Sequence, residues 1–124
     1  MPFTIATANK ILDKILRNTD FTASTTLYAS LHTADPGESG TNEVTGGSYV
    51  RKAIAFNAAS SKATTNTATI DFEGMPVATV THVGLWSAST AGTFWWGGAL
   101  TVAKTVAVGD TLRISAGDFD VNLT

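Results

Sequence analysis

His32 and His82 are the only side chains of this 124-residue chain whose ordinary pKa suits a general base near neutrality. A nucleophilic triad on either would need a Ser or Thr hydroxyl and an orienting carboxylate within hydrogen-bond reach. No G-x-S-x-G elbow occurs, and both histidines fall inside strand-like runs, TLYASLHT and VATVTHVGLW. Each therefore reads as a structural or solvent-facing imidazole. A second cluster is rich in oxygen: Asp35, Glu38, Asn42 and Glu43 share the segment ADPGESGTNEVTGGS, residues 34–48. A hard cation takes six to eight such donors, but their spacing fits no EF-hand loop. Asp35, Glu38 and Glu43 are instead expected on an adaptable contact loop, because long irregular segments in small domains are usually functional or mobile. The glycines at 37, 40, 46 and 47 precede a strand rather than a helix, so they form no phosphate-cradling loop. Cysteine is absent, which removes thiolate catalysis, disulfides and cysteine-ligated metals together. The expectation is a non-enzymatic protein with no catalytic, cofactor-binding or metal residues, and no cofactor.

The remaining chemistry is aromatic. Adjacent strand residues point to opposite faces, so Trp95 and Trp96 are not expected in the same layer, and one of them should be partly exposed. Beside Gly97 and Gly98, an outward Trp could stack on a sugar or anchor a protein interface; otherwise the N-terminal helix or a neighbouring subunit covers it.

These groups must be positioned by a small number of elements. From Thr4 to Asn18 the residues Ile5, Ala8, Ile11, Leu12, Ile15 and Leu16 recur at spacings of three and four, opposite Lys10, Asp13, Lys14 and Arg17. This predicts an amphipathic helix with Thr4 or Thr7 as N-cap, basic residues in the last turn and Asn18 as its stop. The helix carries +2 and the rest of the chain −4, summing to the formal −2. After Thr25 the period changes to two. The runs 26–33, 49–56, 66–72, 77–86, 93–100, 102–108, 111–114 and 118–123 read as strands, with the small polar stretch NAASSKATT as a separator. Seven or eight antiparallel strands and one N-terminal helix predict a mainly β chain, folded as a single Ig-like or jelly-roll-like β-sandwich. Residues 1–18 would be the helix and 19–124 the β-domain of one single-domain protein.

Composition narrows the partners. Charged residues make up only 15% against 44% hydrophobic, and the pI near 5.5 leaves no global positive field for nucleic acid. Lysines and arginines occur singly or as Arg51–Lys52, whose side chains should point to opposite faces. Apolar stretches are a few residues long and the start lacks a signal-peptide pattern, so no membrane partner is expected and the chain reads as soluble.

Three segments carry a resemblance. The runs LYASLHTADPGESGTNEVTGGSYVRKAIAF (27–56), MPVATVTHVGLWSASTAGTFWWGGALT (75–101) and VGDTLRISAGDFDVNL (108–123) resemble a family of small tailed-bacteriophage virion proteins. Its members are labelled tail fiber or minor tail proteins, and some sit on the head as decoration. The resemblance spans nearly the whole chain and implies a structural part of the virion, made in the bacterial cytoplasm and docking on tail or capsid proteins. It implies no catalytic or metal residues. A homo-oligomer, with a trimer compatible with capsid and tail symmetry, is expected as partner state. A carbohydrate-binding module gripping a host-surface glycan is the alternative. The candidate interaction residues are Ile11, Leu12, Ile15 and Leu16 on the helix, the three loop acids, and whichever of Trp95 and Trp96 faces outward.

Overall fold

The 3.6-residue period at the start of the chain becomes α1, Ile5–Arg17. Thr4 caps it, its Oγ1 accepting from the Thr7 amide at 3.1 Å, and Glu38 Oε1 accepts from the Ile5 amide at 2.6 Å. Two of the amides that a helix start leaves unpaired are thereby satisfied, and a carboxylate meets the positive dipole end. At the other end Asn18 turns left-handed (φ 51°) and the Thr19 amide closes on the Asp13 carbonyl at 3.1 Å. The computed structural model describes residues 3–123.

Eight strands follow: β1 Leu27–His32, β2 Lys52–Ile54, β3 Ala63–Thr65, β4 Ile70–Phe72, β5 Ala78–Trp86, β6 Phe94–Val106, β7 Leu112–Ile114 and β8 Asp120–Asn122. The chain is thus mainly β with one N-terminal helix. The strands, however, are divided among a four-stranded antiparallel sheet in the order β2-β1-β5-β6 and two hairpin-sized sheets, β3-β8 and β4-β7. This corrects the expected single Ig-like or jelly-roll sandwich. The physical reason is strand length: β2, β3, β4, β7 and β8 have three residues each, too few to carry continuous ladders across a second full sheet.

Buried Asn66 ties these short pieces together. Its Nδ2 donates to the carbonyls of Ala68 (2.7 Å) and Ser115 (3.2 Å), and its Oδ1 accepts from the amides of Gly117 and Phe119, both at 3.0 Å. Both donors and both lone pairs of the amide are used, so a polar side chain that is 1% exposed is fully satisfied.

Strand limits also differ from expectation. Of the runs 49–56 and 66–72 only Lys52–Ile54 and Ile70–Phe72 form strands, with Phe56 and Asn66 joined by an isolated bridge, while the supposed separator NAASSKATT contributes to β3. The runs 93–100 and 102–108 join as one long strand, β6. Within it, pairing passes from Val80↔Lys104 to His82↔Ala99, so residues 100–103 stand opposite Thr81 alone. This is a large bulge with three extra residues on β6, and Val102 is exposed on it.

The central sheet is covered on both sides. Ala29, Leu31, Val83, Leu85 and Trp96 face the core, where they meet Phe72, Met75, Ile114, Phe119 and Val121. The opposite face, with Ser30, His32, Trp86 and Phe94, is roofed by the long loop after β1. Pro36 of this loop is fully buried and Gly40 lies against Trp86. Gly84 and Gly97 are paired across β5 and β6. A Cβ on Gly97 would come 2.8 Å from Pro36 and one on Gly84 2.6 Å from Phe94, so both glycines make room for the roof.

Candidate functional site

Between roof and sheet lies a connected polar network. The Arg51 guanidinium is 3.7 Å from the Trp86 ring centroid and forks onto Glu43, Nε to Oε2 at 3.0 Å and Nη2 to Oε1 at 2.9 Å. Its Nη1 donates to the carbonyls of Ala88 (3.0 Å) and Ala91 (2.8 Å), pinning the β5–β6 turn. Tyr49 donates its hydroxyl to Glu43 Oε2 at 2.8 Å and accepts from the Leu31 amide at 3.0 Å. Burial, reinforced by the negative charge of Glu43, pushes the Tyr49 hydroxyl well above its usual pKa. It therefore remains a donor at all physiological pH values.

The network continues through Trp86, whose Nε1 donates to Ser30 Oγ at 2.9 Å. Ser30 Oγ is 2.7 Å from His32 Nε2, and His32 Nδ1 is 2.8 Å from the Thr41 carbonyl. A carbonyl only accepts, so Nδ1 carries the proton and Nε2 accepts from Ser30. A hydroxyl and imidazole in this relation have the spacing of a nucleophile and its base. Here the orienting group is a neutral carbonyl, and Ser30 and His32 are both 0% exposed, so the pair is sealed from substrate. The arrangement locks the roof loop onto β1.

His32 is held neutral. Desolvation lowers its pKa; the Thr41 hydrogen bond and Glu43 oppose the shift, while Arg51 and His82 add to it. In the unfolded chain a histidine gains its proton near pH 6.5. The unfolded state therefore binds more protons below that pH, and folding stability is expected to fall as pH drops from about 6.5, by at most about 1.4 kcal/mol per unit from this site. Urea midpoints between pH 7.5 and 5 should decline, and the decline should be shallower in His32→Gln. Equal slopes in both proteins would show that His32 does not set the dependence.

The loop acids are all engaged within the chain. Glu43 holds Arg51, Glu38 holds the start of α1, and Asp35 Oδ1 accepts from the Gly37 amide at 2.9 Å, although Asp35 and Glu38 keep exposed surface. Within this loop Pro36 and Val44 are buried against the body, while most of its other residues remain exposed. No cluster of three or more metal-ligating side chains occurs among the described residues.

The two tryptophans are separated by a bulge. Pairing shifts between Leu85↔Trp96 and Trp86↔Phe94, leaving Trp95 without a partner on β5. Strict alternation fails there. Trp96 is 5% exposed and packs on Phe119, whereas Trp95 is half-buried and donates its Nε1 to Ser24 Oγ at 3.2 Å. Both side chains line one apolar groove of about 200 Å³, together with Phe3, Ile11, Phe21 and Leu85. Trp95 is thus the outward member of the pair, but it stands as a groove wall beneath α1.

Above this groove the helix itself is the largest departure from ordinary packing. Thr7 is its only buried residue. Ile11 is half-buried at the groove, while Leu12, Ile15 and Leu16 are 54%, 75% and 75% exposed. Ile5 is likewise exposed. A helix inside a finished domain turns its apolar arc inward; this one turns Thr7 inward and most of its apolar arc out.

Sequence reasoning identified the helix face but missed the network of Tyr49, Arg51, Trp86 and Ser30, and it missed Asn66. The one available signal was glycine at 84 in the middle of a strand pattern, which marks a close approach.

Apart from Trp96 Nε1, which is buried without a hydrogen-bond partner, the buried side-chain polar groups among the described residues are paired, and the large apolar side chains of α1 lie at the surface. A family model described as podophage GP4 fiber I protein gp80 matches residues 2–122, and the chain belongs to that family. It is a phage fiber protein: a non-enzymatic structural component of the virion, associated with the phage's tail components. Comparison with the curated proteins returned no match.

Proposed function

We propose that this chain is a rigid fiber building block that joins its neighbours in the particle through α1. Residues 1–18 act as the attachment unit and residues 19–124 as the β body. The observation that carries this reading is the outward arc of Ile5, Leu12, Ile15 and Leu16, four large apolar side chains left uncovered on one short helix. Isolated apolar residues on a surface need no explanation, but a contiguous patch marks an interaction site. The roof loop supplies a fixed shape, since its acids and its single proline, Pro36, are committed to the chain's own packing. Sugar stacking draws little support from Trp95, whose half-buried indole forms a wall of the groove under α1 and donates its Nε1 to Ser24 Oγ.

The double variant Leu12→Glu/Ile15→Glu tests the reading. Glu is nearly as good a helix former as Leu, and surface changes cost within about 0.5 kcal/mol each, so the fold should persist. Incorporation into purified virions, measured by quantitative mass spectrometry, should fall at least about tenfold, which corresponds to about 1.4 kcal/mol of lost attachment. Normal copy number with both substitutions in place would overturn the proposal.

A further inference from the structure

The start of α1 is electrostatically incomplete within its own segment. Its first turn holds no acidic residue, although its last turn holds Lys14 and Arg17. The missing negative charge comes from the roof loop, 33 residues further along, where Glu38 Oε1 accepts from the Ile5 amide. A 13-residue helix is marginal by itself, so its stability must come from what it touches. Here it touches little: Thr7 is buried, Ile11 is half-buried, and a groove of about 200 Å³ lies between the helix and Leu27 and Leu85 of the sheet. The Thr4 amide, which donates to the Trp95 carbonyl at 3.1 Å, and the Phe3↔Trp96 bridge hold the residues before the helix and not the helix itself. Ser24, which accepts from the Trp95 indole, holds those after it. Among the described residues Glu38 is the polar side chain of the β body that bonds to α1.

We infer that the roof loop is the latch of α1: while the loop is seated Glu38 keeps the helix folded and in place, and when the loop lifts the helix comes loose. The inference rests on α1 being the attachment surface and names what controls it. Glu38 is carried by a closed turn, 36–41, in which the Pro36 carbonyl accepts from the amides of Gly40 (3.0 Å) and Thr41 (2.9 Å) and from the Thr41 hydroxyl (3.2 Å). The turn is seated at three points: Pro36 is buried against Gly97, Gly40 lies on Trp86, and the Thr41 carbonyl accepts from His32 Nδ1. Displacing the turn as a unit withdraws the carboxylate from Ile5. Coupling of this kind is reciprocal. A partner that grips the folded helix holds the roof shut, and a contact that lifts the roof weakens the grip.

Hydrogen exchange of the α1 amides in the full-length protein tests the latch. Glu38→Ala should speed exchange across the helix about fivefold, the weight of a helix cap or of a charge at a helix end, and Glu38→Gln, which keeps an acceptor without the charge, should fall between. Gly40→Ala strains the seat of the turn, since its Cβ would meet Trp86 and Phe94 rather than α1, and it should speed exchange in the helix as well. With Glu38 already replaced by alanine, Gly40→Ala should add nothing there, because its effect runs through Glu38. Unchanged α1 exchange in Glu38→Ala, or independent and additive effects of the two substitutions, would overturn the inference. If α1 exchange responds as expected while Leu12→Glu/Ile15→Glu is incorporated into virions normally, the latch stands and the attachment reading fails.

Discussion

Arg51→Met is expected to destabilise the protein by about 3 kcal/mol, the range for removing one partner of a buried ion pair. Arg51 is 9% exposed in its side chain and Glu43 20%, so solvent does little to screen the pair. The substitution leaves the Glu43 carboxylate with only the Tyr49 hydroxyl as a side-chain partner. It also strips the Ala88 and Ala91 carbonyls of their donor and uncovers one face of Trp86. Methionine retains most of the aliphatic volume, so the loss reports the polar contacts rather than a cavity. Adding Glu43→Gln should recover part of it, since the stranded charge is then gone, giving a double-mutant coupling of roughly 1–3 kcal/mol. Urea unfolding followed by tryptophan fluorescence reads both values. A loss below about 1 kcal/mol would place the pair with ordinary surface ion pairs and would mean that the turn after β5 is held by other means.

Gly40→Ala should cost about 2–4 kcal/mol, from two sources that a control separates. Gly40 has φ +76°, where any Cβ costs roughly 1–2 kcal/mol. Its Cβ would also run into the outer edge of the Trp86 indole and come 3.0 Å from a Phe94 ring carbon. Neither ring can yield easily: Trp86 is clamped by Arg51 above and by Ser30 at its Nε1. Overpacking of this kind adds about 1–3 kcal/mol. Gly37 has a similar φ of +62° with nothing within 4 Å of its Cβ, so Gly37→Ala should show the backbone cost alone. Thermal denaturation should therefore rank the two variants clearly, and Gly40→Ala alone should perturb near-UV circular dichroism from Trp86. Equal losses would mean that the roof loop is looser than its packing implies.

Local signals and distant contacts account for different parts of the structure. The helix limits were legible to within a residue because Thr4 and Asn18 act through hydrogen bonds to residues three to six positions away. β1 and β5 were legible because alternating runs of six or more residues outweigh local noise. β3 was not, because three small residues in a polar stretch become a strand only when Asp120–Asn122 arrives to pair with them. The bulge at Trp95 was equally hidden, since it arises from how Leu85 and Trp86 register against β6 rather than from the order of residues in either run. The roof loop reads as a turn-rich segment because Gly, Pro and acidic residues favour turns; the hydrogen bonds that tie it down come from Arg51, Tyr49 and His32, which lie on other segments.

From residue order alone came an amphipathic N-terminal helix, a mainly β body, the lack of sulfur chemistry and a likeness to phage virion proteins, because periodicity, composition and motif are properties of neighbours in the chain. Which way the helix faces was a tertiary decision. An apolar arc can be spent on the chain's own sheet or offered to another molecule with the same sequence. Here the roof loop and the short sheets already cover both faces of the central sheet, so the body needs only Thr7 and Ile11 of α1, and Leu12, Ile15 and Leu16 are left outside.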